Sequence, residues 1–123
     1  MKTLCWILAV FFILGGCAPK PTFEVEPYEK TKDWASFDQN LSREGVYQRI
    51  RNDAFYFVFY GKETKYNNIV FEVEDTTLVI RYDALFCTSG WYEIYEIKTN
   101  MTIDKVQLIE NGKETSLVGV FAD

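Results

Sequence analysis

The sequence predicts an α+β domain in which an N-terminal helical segment packs on a curled antiparallel sheet of five to six strands. Three observations support this prediction. Apolar residues within positions 33–52 recur at helical spacing, the apolar period changes to two from Ala54 onward, and Asn111-Gly112 is a strong hairpin-turn signal. The same pattern is also compatible with a small open β-barrel that the helix plugs.

The helical pattern within positions 33–52 comes in two pieces. Its apolar residues fall on two stripes, with Trp34, Phe37 and Leu41 on the first and Val46, Tyr47 and Ile50 on the second. Ser42 is predicted to cap the second piece, and Leu41 and Val46 have the spacing of a hydrophobic staple across that cap. We therefore expect one helix, or a helical hairpin, on one face of the sheet.

The strands follow from alternation and from turn residues. They are predicted at residues 54–60, 68–74, 77–82, 90–98, 103–110 and 114–121. The first is a continuous apolar run, which is typical of a central strand buried on both faces. The link Glu74-Asp75-Thr76 is typical of a hairpin. Strands in such simple succession favour an antiparallel meander.

Residues 1–17 resemble the signal of a bacterial lipoprotein. Lys2 supplies the positive start, residues 4–14 the apolar run, and Leu14-Gly15-Gly16-Cys17 the closing box. The apolar run is too short to span a hydrocarbon core of about 30 Å. The resemblance implies cleavage before Cys17 and a diacylglyceryl thioether on that cysteine. Acyl chains such as palmitate would then hold the mature protein on a membrane surface.

The resemblance also implies a location and a domain organisation. Ala18 follows the cysteine, where many inner-membrane lipoproteins carry an aspartate, so we expect the cell envelope and, in a Gram-negative cell, the periplasmic face of the outer membrane. Residues 1–16 are the predicted signal, and residues 17–32, with all three prolines, the lipidated cysteine and its tether. Residues 33–123 suffice for one domain. Within the tether, residues 23–26 also permit a short edge strand.

Charge and cysteine content narrow the partners. Removing residues 1–16, whose only charge is Lys2, leaves 12 basic and 18 acidic side chains. The resulting net charge near −6 argues against a nucleic-acid partner and favours a basic partner.

Cys87 is then the one cysteine of the predicted domain, so no disulfide can form within it. We expect a small core residue there, with an intermolecular bridge or a reactive thiol as alternatives.

The sequence offers little catalytic chemistry. It contains no histidine, which removes the commonest general base and metal ligand, and no phosphate loop or nucleophile elbow is present. We therefore predict no enzyme, no catalytic residue, no metal site and no cofactor. Carboxylates are the remaining catalytic option, as a carboxylate-dependent glycan hydrolase, with Glu72, Glu74 and Asp75 in one group and Glu93 and Glu96 in another.

Aromatic content points instead to binding. The chain holds 10 Phe, 8 Tyr and 3 Trp, more than a small core needs. Ser89, Trp91, Tyr92 and Tyr95 are the candidate partner-binding residues, with Trp91 and Tyr95 on one face of their strand and Tyr92 on the other. Core filling is the competing interpretation.

The predicted function is a membrane-anchored binding or accessory module for an envelope protein or a glycan. An inhibitor or immunity protein against a cationic hydrolase is the alternative, because opposite charges speed the encounter of two proteins.

Overall fold

A computed structural model describes residues 20–51 and 54–122. Most of these residues belong to β-strands: β1 (Phe23–Pro27), β2 (Gly45–Arg51), β3 (Ala54–Gly61), β4 (Thr64–Glu74), β5 (Thr77–Phe86), β6 (Trp91–Thr99), β7 (Lys105–Glu110), β8 (Lys113–Thr115) and β9 (Gly119–Ala122). A 3₁₀ turn (Lys32–Trp34) and a one-turn helix α1 (Ala35–Asp38) lie between β1 and β2. The predicted signal and Cys17 lie outside the described residues.

The strands form two separate sheets. The five-stranded sheet has the order β1-β6-β3-β2-β9, and the four-stranded sheet has the order β4-β5-β7-β8. The chain leaves the first sheet after β3 and returns to it at β6. The pairs β2–β9 and β5–β7 are parallel. The predicted α+β architecture on a single curled antiparallel sheet is therefore wrong, and the strands do not form the alternative single open barrel either.

The inner core lies between the two sheets. Inward-facing residues alternate with outward-facing ones along each strand, so both sheets contribute to it. The Phe59 ring makes edge-on contacts with Tyr66, Tyr82 and Tyr95, at centroid distances of 5.5, 5.4 and 5.7 Å. The fully or nearly buried members are Val46, Phe57, Phe59, Tyr66, Val73, Leu78, Ile80, Tyr82, Ile97 and Leu108.

The outer core lies on the opposite face of the five-stranded sheet, beneath the 3₁₀ turn and α1. Its buried members are Trp34, Phe37, Tyr47, Tyr56, Val58 and Ile94. Trp34 is 0% exposed, and its ring meets those of Phe37 and Tyr56 edge-on at 5.2 and 5.3 Å. The Arg49 guanidinium lies 4.4 Å from the Trp34 ring centroid, a cation–π contact. The middle strands β2 and β3 are therefore covered on both faces.

The helix predicted over residues 33–52 is wrong from Gly45 onward. This part of the chain is β2, which pairs with β3 on one side and β9 on the other. Val46 faces the inner core and Tyr47 the outer core, which is the period of a strand. Gly45 has a φ of 143°, which L side chains rarely adopt and which no helix contains. Val46 and Ile50 share the inner face of β2 and Tyr47 lies on its outer face, so this doubly buried strand has the apolar spacing of a helical stripe.

The first predicted stripe has the correct buried face but not the predicted length. Trp34 and Phe37 are buried together in the outer core, and Leu41 packs against it. They are carried by the 3₁₀ turn, α1 and the loop that follows, and the described residues hold no helix of seven or more residues. Ser42, the predicted cap, precedes a strand.

Several strand predictions are confirmed. Residues 54–60 form the central strand β3, and hairpins join β4 to β5 and β7 to β8 at the predicted turns. Asp75, Asn111 and Gly112 adopt positive φ in those turns. The strand predicted at 114–121 is wrong as one element, because β8 and β9 belong to different sheets. Residues 23–27 form the edge strand β1 that the alternation permitted, while the domain boundaries stay a prediction.

Candidate functional site

The predicted binding residues Trp91 and Tyr95 are half-buried and pack against the inner core. The Tyr95 ring lies 5.7 Å from Phe59 and 5.5 Å from Phe71, and its hydroxyl donates to Glu93 Oε2 at 2.5 Å. Burial, reinforced by that hydrogen bond, raises the pKa of Tyr95. Both side chains thus contribute to the packing between the sheets.

Tyr92 lies on the other face of β6, where it holds the segment that covers the outer core. Its hydroxyl donates to Asp38 Oδ1 at 2.5 Å, and Lys30 Nζ lies 4.4 Å from its ring centroid. Lys30 and Asp38 form an ion pair at 2.8 Å. Burial, and then the hydrogen bond to Asp38, raises the pKa of Tyr92. Its contacts therefore connect β6 to α1.

Ser89 is exposed in the loop between β5 and β6, and its carbonyl accepts a hydrogen bond from Cys87 Sγ at 2.7 Å. Cys87 is half-buried, so it is not the fully enclosed core thiol that the sequence favoured. The structure does not bring the predicted four residues together on one surface, since Trp91 and Tyr95 face one core and Tyr92 the other. Their role in partner binding stays a prediction.

A different surface is formed at one end of the two sheets, which we call the loop end. It consists of four segments: residues 43–44 before β2, the β3–β4 turn at residues 62–63, the β5–β6 loop at residues 87–90 and the β7–β8 turn at residues 111–112. The Cys87 N–H donates to the Glu63 carbonyl at 3.0 Å. Asn111 Oδ1 accepts from the Ala84 N–H at 2.8 Å, and Asn111 Nδ2 donates to the Ala84 carbonyl at 3.2 Å. These bonds fix β5 against its neighbours as it reaches the loop end.

Leu85 and Phe86 are large apolar side chains left exposed at the loop end. Phe86 is 75% exposed and Leu85 is 45% exposed. Phe86 lies on the inward face of β5, as Ile80 and Tyr82 do. Unlike them it lies beyond the inner core, and the other described residues leave most of its side chain exposed. The sequence prediction missed both residues because it ended this strand at position 82. The sequence feature that could have indicated this surface is the pair Leu85-Phe86, two large apolar residues on opposite faces of a strand end, directly before the loop at residues 87–90.

Leu85 and Phe86 line a cleft of about 470 Å³ that also contains Glu44, Glu63 and Glu110. A second cleft of about 410 Å³ adjoins it and shares Glu44 and Glu110. Within residues 20–51 and 54–122, none of these three carboxylates forms an ion pair. The loop end is thus apolar at its tip and acidic in its cleft.

Two of the three carboxylates are held by hydrogen bonds. Glu44 Oε2 accepts the backbone N–H groups of Lys62 and Glu63 at 2.5 and 2.6 Å. These bonds, that from Glu63 foremost, lower the pKa of Glu44, so it stays ionised at neutral pH. Glu110 Oε1 accepts from the Tyr82 hydroxyl at 3.1 Å. Glu44 therefore fixes the β3–β4 turn, whereas Glu63 is exposed at the cleft.

Tyr66 and Tyr82 are buried close to Glu110, and burial, followed by the charge of Glu110, raises the pKa of both hydroxyls. Above the ordinary tyrosine pKa of about 10, the unfolded chain loses protons that the folded chain keeps. Below that pH these two tyrosines contribute no pH dependence to the free energy of unfolding, and above it we expect each of them to lower that free energy by about 1.4 kcal/mol per pH unit. Urea unfolding at a series of alkaline pH values measures this slope. Tyr82→Phe should reduce it, and an unchanged slope would contradict the argument.

Fold and site together define a small two-sheet β domain with an apolar and acidic end. No protein-family model, curated protein sequence or solved structure matches this chain. In the described ranges, no helix has the length and apolar character needed to cross a membrane.

Proposed function

We propose that this protein is a lipid-anchored, non-enzymatic binding or accessory module of the cell envelope, attached through Cys17. The observation that carries the proposal is the exposure of Phe86 beside Leu85 at the loop end. Large apolar side chains grouped on a surface and bordered by polar groups mark interaction sites in soluble domains. The acidic cleft next to them supplies such a border.

The register of β6 supports the same function, because the loop end and the start of β1 lie at opposite ends of this strand. Trp91, at the start of β6, pairs with Gly61 next to the β3–β4 turn. Thr99, at the other end of β6, pairs with Phe23, where β1 begins. At about 3.3 Å per residue these ends are roughly 26 Å apart. A chain that enters from the membrane at Phe23 would therefore present Phe86 away from the lipid.

The cleft also favours the second candidate function, an inhibitor or immunity protein against a cationic hydrolase. Glu44, Glu63 and Glu110 face one opening without ion-pair partners among the described residues. Such a surface attracts a basic protein from a distance and aligns it on approach. The two candidates differ in what is bound, since an accessory module joins a resident envelope complex and an inhibitor reduces the activity of its target.

The test is photocrosslinking in cells that make the full chain. We would replace Thr88, exposed in the loop beside Phe86, with a photoreactive phenylalanine analogue, and in a matched variant replace Thr76, which is exposed at the opposite end of β5. We expect one dominant protein adduct at position 88 and little at position 76. Mass spectrometry of the adduct then separates a resident subunit from a hydrolase.

Two controls sharpen this experiment. Cys17→Ser should move the protein from the membrane fraction to the soluble fraction and abolish labelling by a palmitate analogue, which tests the anchor independently of the partner. Phe86→Ser combined with the probe at position 88 should remove the adduct. Equal labelling at positions 76 and 88, or adducts with lipid alone, would contradict a partner at the loop end.

A further inference from the structure

We infer that the loop end binds a protein segment that carries lysine or arginine next to an apolar side chain, with Phe86 and Leu85 contacting the apolar group and Glu63 and Glu110 the cations. This inference rests on the proposed function and adds the chemistry of the partner to it. Three features of the loop end carry it: the apolar tip, the state of its carboxylates and its position in the molecule.

The apolar tip continues directly into the acidic cleft. Leu85 and Phe86 both line the cavity that Glu63 and Glu110 line, so a single bound segment can reach all four. Val70 is about as exposed as Leu85, at 46%, but it lies in the middle of β4 and lines none of the clefts described above. Val120 is 55% exposed and lines two other clefts, but one of them contains Arg49 and the other Lys105. Exposed apolar side chains in a cleft that is lined by three carboxylates and by no basic residue are thus a property of the loop end.

The carboxylates of the loop end differ from those on the strand faces. On the four-stranded sheet, Glu72 and Glu74 both pair with Arg81. On the five-stranded sheet, Glu26 and Glu96 both lie within 4.0 Å of Lys98 Nζ. In each of these two groups, a basic side chain therefore lies beside a pair of carboxylates. In the described part of the chain, the loop-end carboxylates form no comparable ion pair. Besides the hydrogen bond from the Glu63 N–H, the charge of Lys62 helps to lower the pKa of Glu44, so we assign the binding of a cationic partner to Glu63 and Glu110.

Within the cleft, the three carboxylates have different tasks. Glu44 Oε2 accepts the two backbone N–H groups of the β3–β4 turn and thereby positions Glu63. Because that oxygen is already hydrogen-bonded, Glu44 adds negative charge to the cleft but is not assigned a direct contact with the partner. Glu110 keeps Oε2 free of hydrogen bonds among the described residues, since Tyr82 donates to Oε1. Glu63 and Glu110 are therefore the two carboxylates placed to bind cationic side chains.

Other occupants fit less well. No group of three His, Cys, Asp or Glu residues in the described ranges could hold a metal ion. Anionic lipid and nucleic acid would both be repelled by the unpaired carboxylates. The loop end also lies at the far end of β6 from the start of β1, where the predicted tether enters. A basic, partly apolar protein segment is complementary to both the carboxylates and the exposed side chains of Leu85 and Phe86.

A binding experiment with defined probes tests this chemistry. The full lipidated chain is placed in phosphatidylcholine nanodiscs, and fluorescein-labelled peptides built from Lys, Leu and Gly are titrated by anisotropy, with empty nanodiscs subtracted. We expect binding that weakens with added salt, since these charges are solvent-exposed. A peptide with Glu in place of Lys, or Gly in place of Leu, should bind much more weakly.

Four variants locate the binding. Glu63→Gln combined with Glu110→Gln should weaken binding of the Lys-Leu peptide about tenfold, since the double variant removes both carboxylates that are placed to pair with the lysines. Phe86→Ser should weaken it by a similar factor. Glu24→Gln, at an exposed glutamate of β1, and Val70→Ser are matched controls, which should stay within about twofold because they lie outside the cleft. Circular dichroism confirms that each variant is folded.

The results separate this inference from the proposed function. If the Thr88 adduct forms in cells but the Lys and Glu peptides bind equally, the module binds a partner and the inferred partner chemistry is wrong. Equal weakening by the loop-end variants and their controls would place the cationic site elsewhere and overturn the inference. A salt-sensitive loss confined to the loop-end variants supports it.

Discussion

Trp34→Ala is expected to lower the free energy of unfolding by about 3–5 kcal/mol, the usual cost of removing a fully buried aromatic side chain. Trp34 is 0% exposed and touches Tyr56 and Phe37 edge-on, so its removal leaves a large cavity in the outer core. The change also removes the aromatic face on which the buried Arg49 guanidinium lies. Urea unfolding of the variant and the original chain measures the difference.

Ser36→Ala is the matched control for Trp34→Ala, because Ser36 is exposed in α1 and its side chain takes no part in the outer core. We expect this control to change the free energy of unfolding by less than about 0.5 kcal/mol. A loss below about 1 kcal/mol for Trp34→Ala would mean that the segment over the five-stranded sheet is a removable cover rather than part of the folded domain.

Gly61→Ala is expected to cost about 3 kcal/mol or more and to disturb the loop end. A Cβ at Gly61 would lie 2.0 Å from the Thr64 carbonyl oxygen and 2.9 Å from its carbonyl carbon. Both atoms belong to the backbone, so the β3–β4 turn itself must move, and overpacking of this kind is costly. Since Thr64 pairs with Phe86, the binding surface should be disturbed together with stability.

Gly90→Ala is the control for Gly61→Ala, because it lies in the adjacent loop and its added Cβ would be 3.5 Å from the Gly61 carbonyl oxygen, an ordinary contact. We expect it to change stability by less than about 0.5 kcal/mol and to leave peptide binding intact. If both glycine variants unfold at the same urea concentration as the original chain, the close packing of the β3–β4 turn is not required for the fold.

The sequence located strands more reliably than it located their partners. Residues 54–60, with their continuous apolar run, were predicted as a central strand and form β3. Residues 45–51 were predicted as helix and form β2, because the spacing of Val46, Tyr47 and Ile50 fits a helical stripe as well as a strand buried on both faces. The long-range pairing of Tyr47 with Gly119, far apart in the chain, decides between the two and cannot be read from local spacing.

In the candidate site, too, local sequence indicated residue types but not which side chains would be exposed. The sequence selected Trp91, Tyr92 and Tyr95 for their residue types, and the structure places them against the two cores, where aromatic side chains also belong. Phe86 and Leu85 were passed over because the strand that carries them was predicted to end at position 82. Their exposure depends on where the inner core stops, and this is set by the lengths and registers of both sheets.

Local chemistry in the sequence determined the hairpin turns and most of the strands, because turn residues such as Asn111-Gly112 and alternating apolar residues act on their immediate neighbours. Only the tertiary structure decided which strands share a sheet, since that choice depends on contacts between distant segments such as Thr77 and Lys105. It also decided that the carboxylates of Glu63 and Glu110 lie in one cleft with Phe86. Folding brings these three residues together from separate parts of the chain, and no local pattern encodes their proximity.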